Sequence, residues 1–189
     1  MTKPTKDQAE QAVKLLLEYI GEDVNREGLK ETPARVVRSY AELFAGYALP
    51  IEDVLSKTFT DVSEYNDVVL LKKIKFTSLC EHHMLPFYGT VDIAYIPGGE
   101  VLGISKLARL VDMFSKRLQI QERMTFEIAN SLHSHLNPGG VAVRVSAVHS
   151  CMSARGVAKN GAVMDTTYFT GEYHEHAEKR KEFLDSIRG

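Results

Sequence analysis

From about residue 66 the hydrophobic period of this chain switches from two to 3.6 and back again, and that order of switches limits the main domain to an α+β fold. Val68–Phe76 is rich in β-formers, although its lysines spoil a clean alternation. Val91, Ile93 and Tyr95 alternate with Thr90, Asp92 and Ala94, which predicts a half-buried strand ending at Pro97-Gly98-Gly99. Two helical stripes follow. The first starts near Ser105 and carries Leu107, Leu110, Val111, Phe114 and Leu118; the second runs from Gln121 to about Leu136, where Asn137-Pro138-Gly139-Gly140 closes it. Strands are then expected at Val141–Cys151 and Val163–Tyr173, and a short helix at Glu175–Ile187. The order is β-β-α-α-β-β. Four strands leave sheet edges that need cover, so the sheet is expected to continue into neighbouring subunits.

The first sixty residues read differently. Ala9, Ala12, Val13, Leu16, Leu17 and Ile20 recur at helical spacing, and Thr32-Pro33 predicts an N-cap followed by a proline at N1 of a second helix. The expected division is a helical extension over residues 1–60 and a main domain over 61–189. With 23 Lys plus Arg against 25 Asp plus Glu, the formal net charge is −2, which argues against a general nucleic-acid binder and leaves room for a small cationic pocket. No basic start followed by an apolar run suggests a secretory signal, and no run is long enough to suggest a membrane span. The expected location is the cytoplasm. There the two cysteines, Cys80 and Cys151, are expected to be ligands or core residues rather than a disulfide.

Residues 80–83 read Cys80-Glu81-His82-His83. Cys-x2-His is a chelate spacing, because a tight turn brings both side chains to one ion. Neighbouring His82 and His83 should point in different directions, so one is expected to ligate and the other to be free for proton transfer. Val141, Val143, Val145, Ala147, His149 and Cys151 share one strand face by period two, and that face turns from apolar to metal-binding types at its end. The candidate set is Cys80, His83 and Cys151. Two thiolates and an imidazole favour zinc, and three protein ligands leave a fourth position open for chemistry.

A cationic site is expected around Gly103-Ile104-Ser105-Lys106, with Ser105 as helix cap and Lys106 and Arg109 on the face opposite the apolar stripe. Arg155, four residues after Cys151, would add a cation near the metal. Arg35 on the second helix is either solvated or directed at a neighbour. Gln121-Glu122 opens a helix, where a carboxylate either offsets the dipole or accepts paired N–H donors such as those of guanine.

Four stretches together resemble the GTP cyclohydrolase I family. They are Ser78-Leu79-Cys80-Glu81-His82-His83, Gly103-Ile104-Ser105-Lys106-Leu107-Ala108-Arg109, Gln119-Ile120-Gln121-Glu122-Arg123 and His149-Ser150-Cys151-Met152-Ser153-Ala154-Arg155-Gly156. The resemblance runs from Thr32-Pro33-Ala34-Arg35 to Glu182-Phe183-Leu184 and fits least over Val157–Thr170, where the family often has a Thr/Ser-rich run. It implies a tunnelling-fold subunit that assembles as a toroidal homodecamer of two pentamers, with active sites between subunits. It also implies zinc-dependent hydrolysis of GTP to formate and 7,8-dihydroneopterin triphosphate, the entry to pterin and folate synthesis. By the resemblance Cys80, His83 and Cys151 hold zinc, which activates the water that adds to guanine C8. His82 and His149 move protons and Ser105 handles the ribose. Lys106, Arg109, Arg155 and Arg35 bind the triphosphate, and Glu122 with Gln121 anchors guanine. The alternatives are another pterin enzyme of the same fold and a zinc-stabilised scaffold without catalysis.

Overall fold

The computed structural model describes residues 2–61 and 64–188. The chain forms two compact units, Met1–Ala45 and Gly46–Gly189. In the first, helix α1 (Lys6–Tyr19) packs on helix α2 (Thr32–Leu43). Thr5 and Gln8 close a capping box at the start of α1, with the Thr5 hydroxyl accepting from the Gln8 N–H and the Gln8 side chain accepting from the Thr5 N–H. Helix α2 differs from expectation by one residue. Glu31 is its N-cap, while Thr32 lies inside the first turn and donates its hydroxyl to the Gly28 carbonyl at 3.4 Å.

The second unit opens with a one-turn helix α3 (Ile51–Val54) and the short strand β1 (Thr58–Phe59). Then come β2 (Val69–Cys80), β3 (Pro86–Ile96), the short β4 (Val101–Leu102), α4 (Ile104–Ser115), the short β5 (Leu118–Gln119) and α5 (Gln121–Leu136). It ends with β6 (Gly140–His149), one-turn helix α6 (Ser150–Ser153), β7 (Met164–Gly171), one-turn helix α7 (Glu172–Glu175) and α8 (Ala177–Ser186). The long elements keep the β-β-α-α-β-β order. Helix α4 is shorter than its apolar stripe suggested. Leu118 leaves it and starts β5, which pairs in parallel with the end of β2.

The main sheet has the order β5-β2-β3-β6-β7, antiparallel from β2 to β7, and β1 pairs with β4 separately. One face is covered by α4 and α5. Leu107, Leu110, Val111, Met124, Ile128 and Leu132 bury there against Phe87, Val91, Ile93, Tyr95, Val141, Val143 and Val145. The other face holds Ala94, Ile96 and Ala142 under Tyr173, Phe183 and Ile187. The strand from Val91 to Ile96 is therefore buried on both faces, not half-buried. The C-terminal helix covers the face that alternation alone assigned to solvent.

The lysines that break the alternation of β2 have a structural cause. The register of β2 against β3 shifts between Leu71 and Ile74, and Lys73 adopts a left-handed φ of 59°. Its N–H is accepted by the buried Asp92 carboxylate at 2.8 Å. The bulge restores phase, so Leu71 and Ile74, three residues apart, both pack on the core.

Gly89 sets the spacing at the other end. It pairs with Ala147, and a Cβ there would meet the Ser146 carbonyl and stand 2.7 Å from the Cα of Ala147. That close approach carries the β3–β6 ladder on to its last pair, Phe87 with His149. Gly89→Ala should therefore cost about 2–3 kcal/mol by forcing the strands apart. A drop of several degrees in melting temperature by scanning calorimetry checks it, and an unchanged midpoint contradicts it.

Candidate functional site

The site is built where β2 and β6 both end. Cys80 is the last residue of β2 and is buried. The chain then turns sharply: the Cys80 carbonyl accepts from the N–H groups of His83 at 3.3 Å and Met84 at 2.8 Å, and the Cys80 N–H donates to Leu85 O at 2.9 Å. Met84 takes a left-handed φ of 55° to close that turn. The turn folds His83 back over Cys80, with His83 Nδ1 3.8 Å from Cys80 Sγ. Cys151 arrives from the other strand. It is not on β6, which ends at His149, but on the one-turn helix α6 that follows. The expected strand face therefore stops one ligand short, and a helical turn carries Cys151 in.

Cys80, His83 and Cys151 present donor atoms that all lie within 4.8 Å of one another. Both cysteines are free thiols. Tetrahedral zinc with Zn–S of about 2.3 Å and Zn–N of about 2.0 Å needs donors about 3.6–3.8 Å apart. The Cys80–His83 separation of 3.8 Å meets that value and all three donors lie within 4.8 Å, so the group fits zinc in donor chemistry and comes within about 1 Å of its reach. Burial first, then the neighbouring Cys80 thiol, pushes the Cys151 thiol above its ordinary value. A cation held by the two sulfurs would take the place of their protons.

His82 does not point away from Cys80. Its Nδ1 lies 3.9 Å from the same sulfur, although its ring stands at 82° to that of His83 with 6.3 Å between centroids. The three-residue group nevertheless closes through His83. His82 is exposed beside it.

The turn is held from outside by residues that the sequence motifs contained without assigned roles. The Glu81 N–H donates to Gln119 O at 3.0 Å, and the Glu81 carboxylate is paired with Arg123. Arg123 Nε donates to Gln119 Oε1 at 3.0 Å, and Gln119 Nε2 donates to Glu127 at 2.7 Å and to Phe114 O at 3.0 Å. The Arg123 guanidinium holds the Glu81 carboxyl below the usual carboxylate range. Arg123→Met should loosen the turn and weaken zinc binding by about tenfold, as loss of outer-shell partners does. Competition against a chromophoric chelator checks it, and an unchanged affinity contradicts it.

His149 is half-buried, with its ring stacked on Phe87 at 4.6 Å and 3°. Burial lowers its pKa, against an opposing pull from Glu122. Glu122 is exposed in the first turn of α5. Gln121 is not exposed with it. At 1% exposure it turns into the sheet and offers its amide hydrogens to Val145 O, Met164 O and Thr166 Oγ1 at 2.9–3.2 Å. Two amide hydrogens facing three acceptors leave none for a ligand. A largely apolar cavity of about 340 Å3 adjoins the site, lined by His149, Cys151, Met152, Ala162, Val163 and Met164.

Arg155 is exposed, with Nη1 3.2 Å from His83 Nε2. The cations of α4 are placed differently from expectation. Gly103, not Ser105, is the N-cap; Ser105 and Arg109 are exposed. Lys106 is buried, donating to Asp53 O at 3.1 Å and Ser56 Oγ at 3.4 Å, because the segment around α3 and β1 folds over the start of α4. No hydrogen bond or ion pair among the described residues joins Ser105, Lys106 or Arg109 to the Cys80–His83–Cys151 group. Arg35 is exposed on α2 in the first unit. No helix among the described residues is long and apolar enough to cross a membrane.

The family described as GTP cyclohydrolase I matches residues 9–188. A protein of Rickettsia felis named GTP cyclohydrolase 1 is 56% identical over 185 residues, covering 98% of this chain and 97% of its own. Proteins of the same name from Rickettsia prowazekii and Rickettsia bellii are 54% and 56% identical over 187 and 183 residues; the alignments cover 99% and 97% of this chain and 98% and 95% of theirs.

Proposed function

Because this chain belongs to the GTP cyclohydrolase I family, we propose that it hydrolyses GTP to formate and 7,8-dihydroneopterin triphosphate with zinc held by Cys80, His83 and Cys151. The observation that carries the zinc assignment is the closure of two thiols and an imidazole within 4.8 Å at the end of the sheet. Zinc bound there supplies Lewis acidity that brings the pKa of a coordinated water near 7.

The chain's own residues do the rest. Glu122, exposed at the start of α5, accepts the N1–H and N2–H pair of guanine. Adenine has no such pair and would leave the carboxylate unmatched. His149 and His82 flank the metal group and move protons at the purine nitrogens. Burial keeps His149 neutral near pH 7 and able to accept one. Ser105 acts at the ribose. Arg155, Arg109, Lys106 and Arg35 bind the triphosphate, with Lys106 leaving its Asp53 and Ser56 partners to do so. The edge strands β5 and β7 are covered by further copies in a decamer of two pentamers. Free thiols at the site suit the reducing cytoplasm, where the product opens pterin and folate synthesis.

Zinc content measured together with formate release and pterin fluorescence tests the proposal. A zinc-loaded protein that releases no formate from GTP overturns it. Glu122→Ala tests the base site. Loss of two hydrogen bonds to a charged acceptor should raise KM for GTP about 10- to 100-fold with zinc content unchanged. An unaltered KM removes Glu122 from the base site.

A further inference from the structure

We infer that Gln121 fixes the tautomer of His149, so that Nδ1 is the atom through which this histidine exchanges protons. The inference rests on the proton-transfer role proposed above for His149 and assigns that role to one of its two ring nitrogens.

Gln121 Nε2 lies 3.0 Å from Val145 O, 2.9 Å from Met164 O and 3.2 Å from Thr166 Oγ1. Backbone carbonyls only accept. Turning the amide over would set its oxygen against two carbonyl oxygens at 1% exposure, which burial makes costly. The hydroxyls agree with this orientation. Thr125 Oγ1 donates to the Gln121 backbone carbonyl at 2.7 Å. Its single proton is then in use, so in the 2.6 Å contact between the two threonines Thr166 is the donor. Thr166 Oγ1 in turn accepts from Gln121. Both hydroxyl protons are thereby assigned, and the two Gln121 amide hydrogens are shared among three acceptors.

Gln121 Oε1 is thereby left facing His149 Nε2 at 2.8 Å. An amide oxygen only accepts, so Nε2 carries hydrogen. In the neutral ring the lone pair then belongs to Nδ1, which makes no hydrogen bond to any described residue. Phe87, stacked on the ring at 3°, holds its plane, and the β3–β6 ladder holds Phe87 opposite His149. His149 also lines the cavity beside the metal group. In the transfer step Nδ1 takes a proton and the ring becomes imidazolium, with Nε2–H still on Gln121. Return of that proton from Nδ1 to a substrate nitrogen restores the neutral ring. Gln121 touches no substrate in this scheme and is a positioning residue.

The test uses the full-length, zinc-loaded protein labelled with 15N-histidine and read by solid-state NMR at alkaline pH. The His149 signals are identified by their loss in His149→Gln. The expected spectrum has a protonated Nε2 and an unprotonated Nδ1. In Gln121→Met both tautomers should be seen, kcat should fall about 10- to 100-fold, and KM for GTP and zinc content should stay within about twofold. A protonated Nδ1 in the parent protein overturns the inference. So does a Gln121→Met enzyme whose loss appears in KM alone, which would make Gln121 a substrate contact. If Gln121→Met does not fold, the parent spectrum still decides. Full turnover by His149→Gln would overturn the proton-transfer reading itself, whereas the tautomer is read without any activity.

Discussion

Cys151→Ala is expected to give a folded protein that binds zinc about 10²- to 10⁴-fold more weakly and loses formate release in the same proportion. Structural zinc sites bind with roughly 10–16 kcal/mol near neutral pH, so one of three protein donors is worth about 3–5 kcal/mol. The fold should tolerate the change. Cys151 is half-buried on the one-turn helix α6, beyond the last pair of β6, and only packs against the edge of the core. Alanine keeps that turn at a cost near 1 kcal/mol. Cys80→Ala should lose zinc equally but also leave a void, because Cys80 lies inside the core at the end of β2. Metal analysis by mass spectrometry beside circular dichroism separates the two effects. Stoichiometric zinc in Cys151→Ala at parent affinity would remove Cys151 from the ligand set.

His82→Ala is expected to keep zinc and subunit assembly while kcat falls about 10²- to 10⁴-fold, the usual contribution of a positioned acid–base group. The side chain is exposed, so its removal leaves no cavity. The closed donor group does not include it. His82 Nδ1 is nevertheless as near Cys80 Sγ as His83 Nδ1 is, at 3.9 Å against 3.8 Å. The variant therefore also tests which histidine is the ligand. Zinc loss in His82→Ala with zinc retained in His83→Ala would exchange their roles. Turnover unchanged in His82→Ala would instead favour a metal-stabilised scaffold over a proton-transfer site.

Much of this was legible in the sequence because it depends on short-range rules. The period of apolar residues predicts α4, α5 and the four long strands, and Cys-x2-His predicts a turn that returns a histidine to the cysteine's ion. The misreadings share a cause. Lys106 reads as a surface cation by helical phase, yet a segment fifty residues earlier covers it. Ala94 reads as the wet side of a half-buried strand until Phe183 and Ile187 from the C-terminus cover that face. Gln121 reads as a partner of Glu122 because the two are adjacent. One residue along a helix is a turn of about 100°, enough to set one side chain in the sheet and the other in solvent.

By itself the sequence determined the order of the long elements, the two cysteines and the histidine pair as candidate metal donors, and the family, since each is carried by residue type and local spacing. Only the tertiary structure decided which of two adjacent histidines closes the donor group, how Arg123 and Gln119 tie down the turn after Cys80, and which way the buried amide of Gln121 faces. These are contacts between β2, β5, β6, β7 and α5, segments up to 45 residues apart for the amide alone. The direction of a hydrogen bond there is set by which acceptors the fold brings together, and no local pattern encodes it.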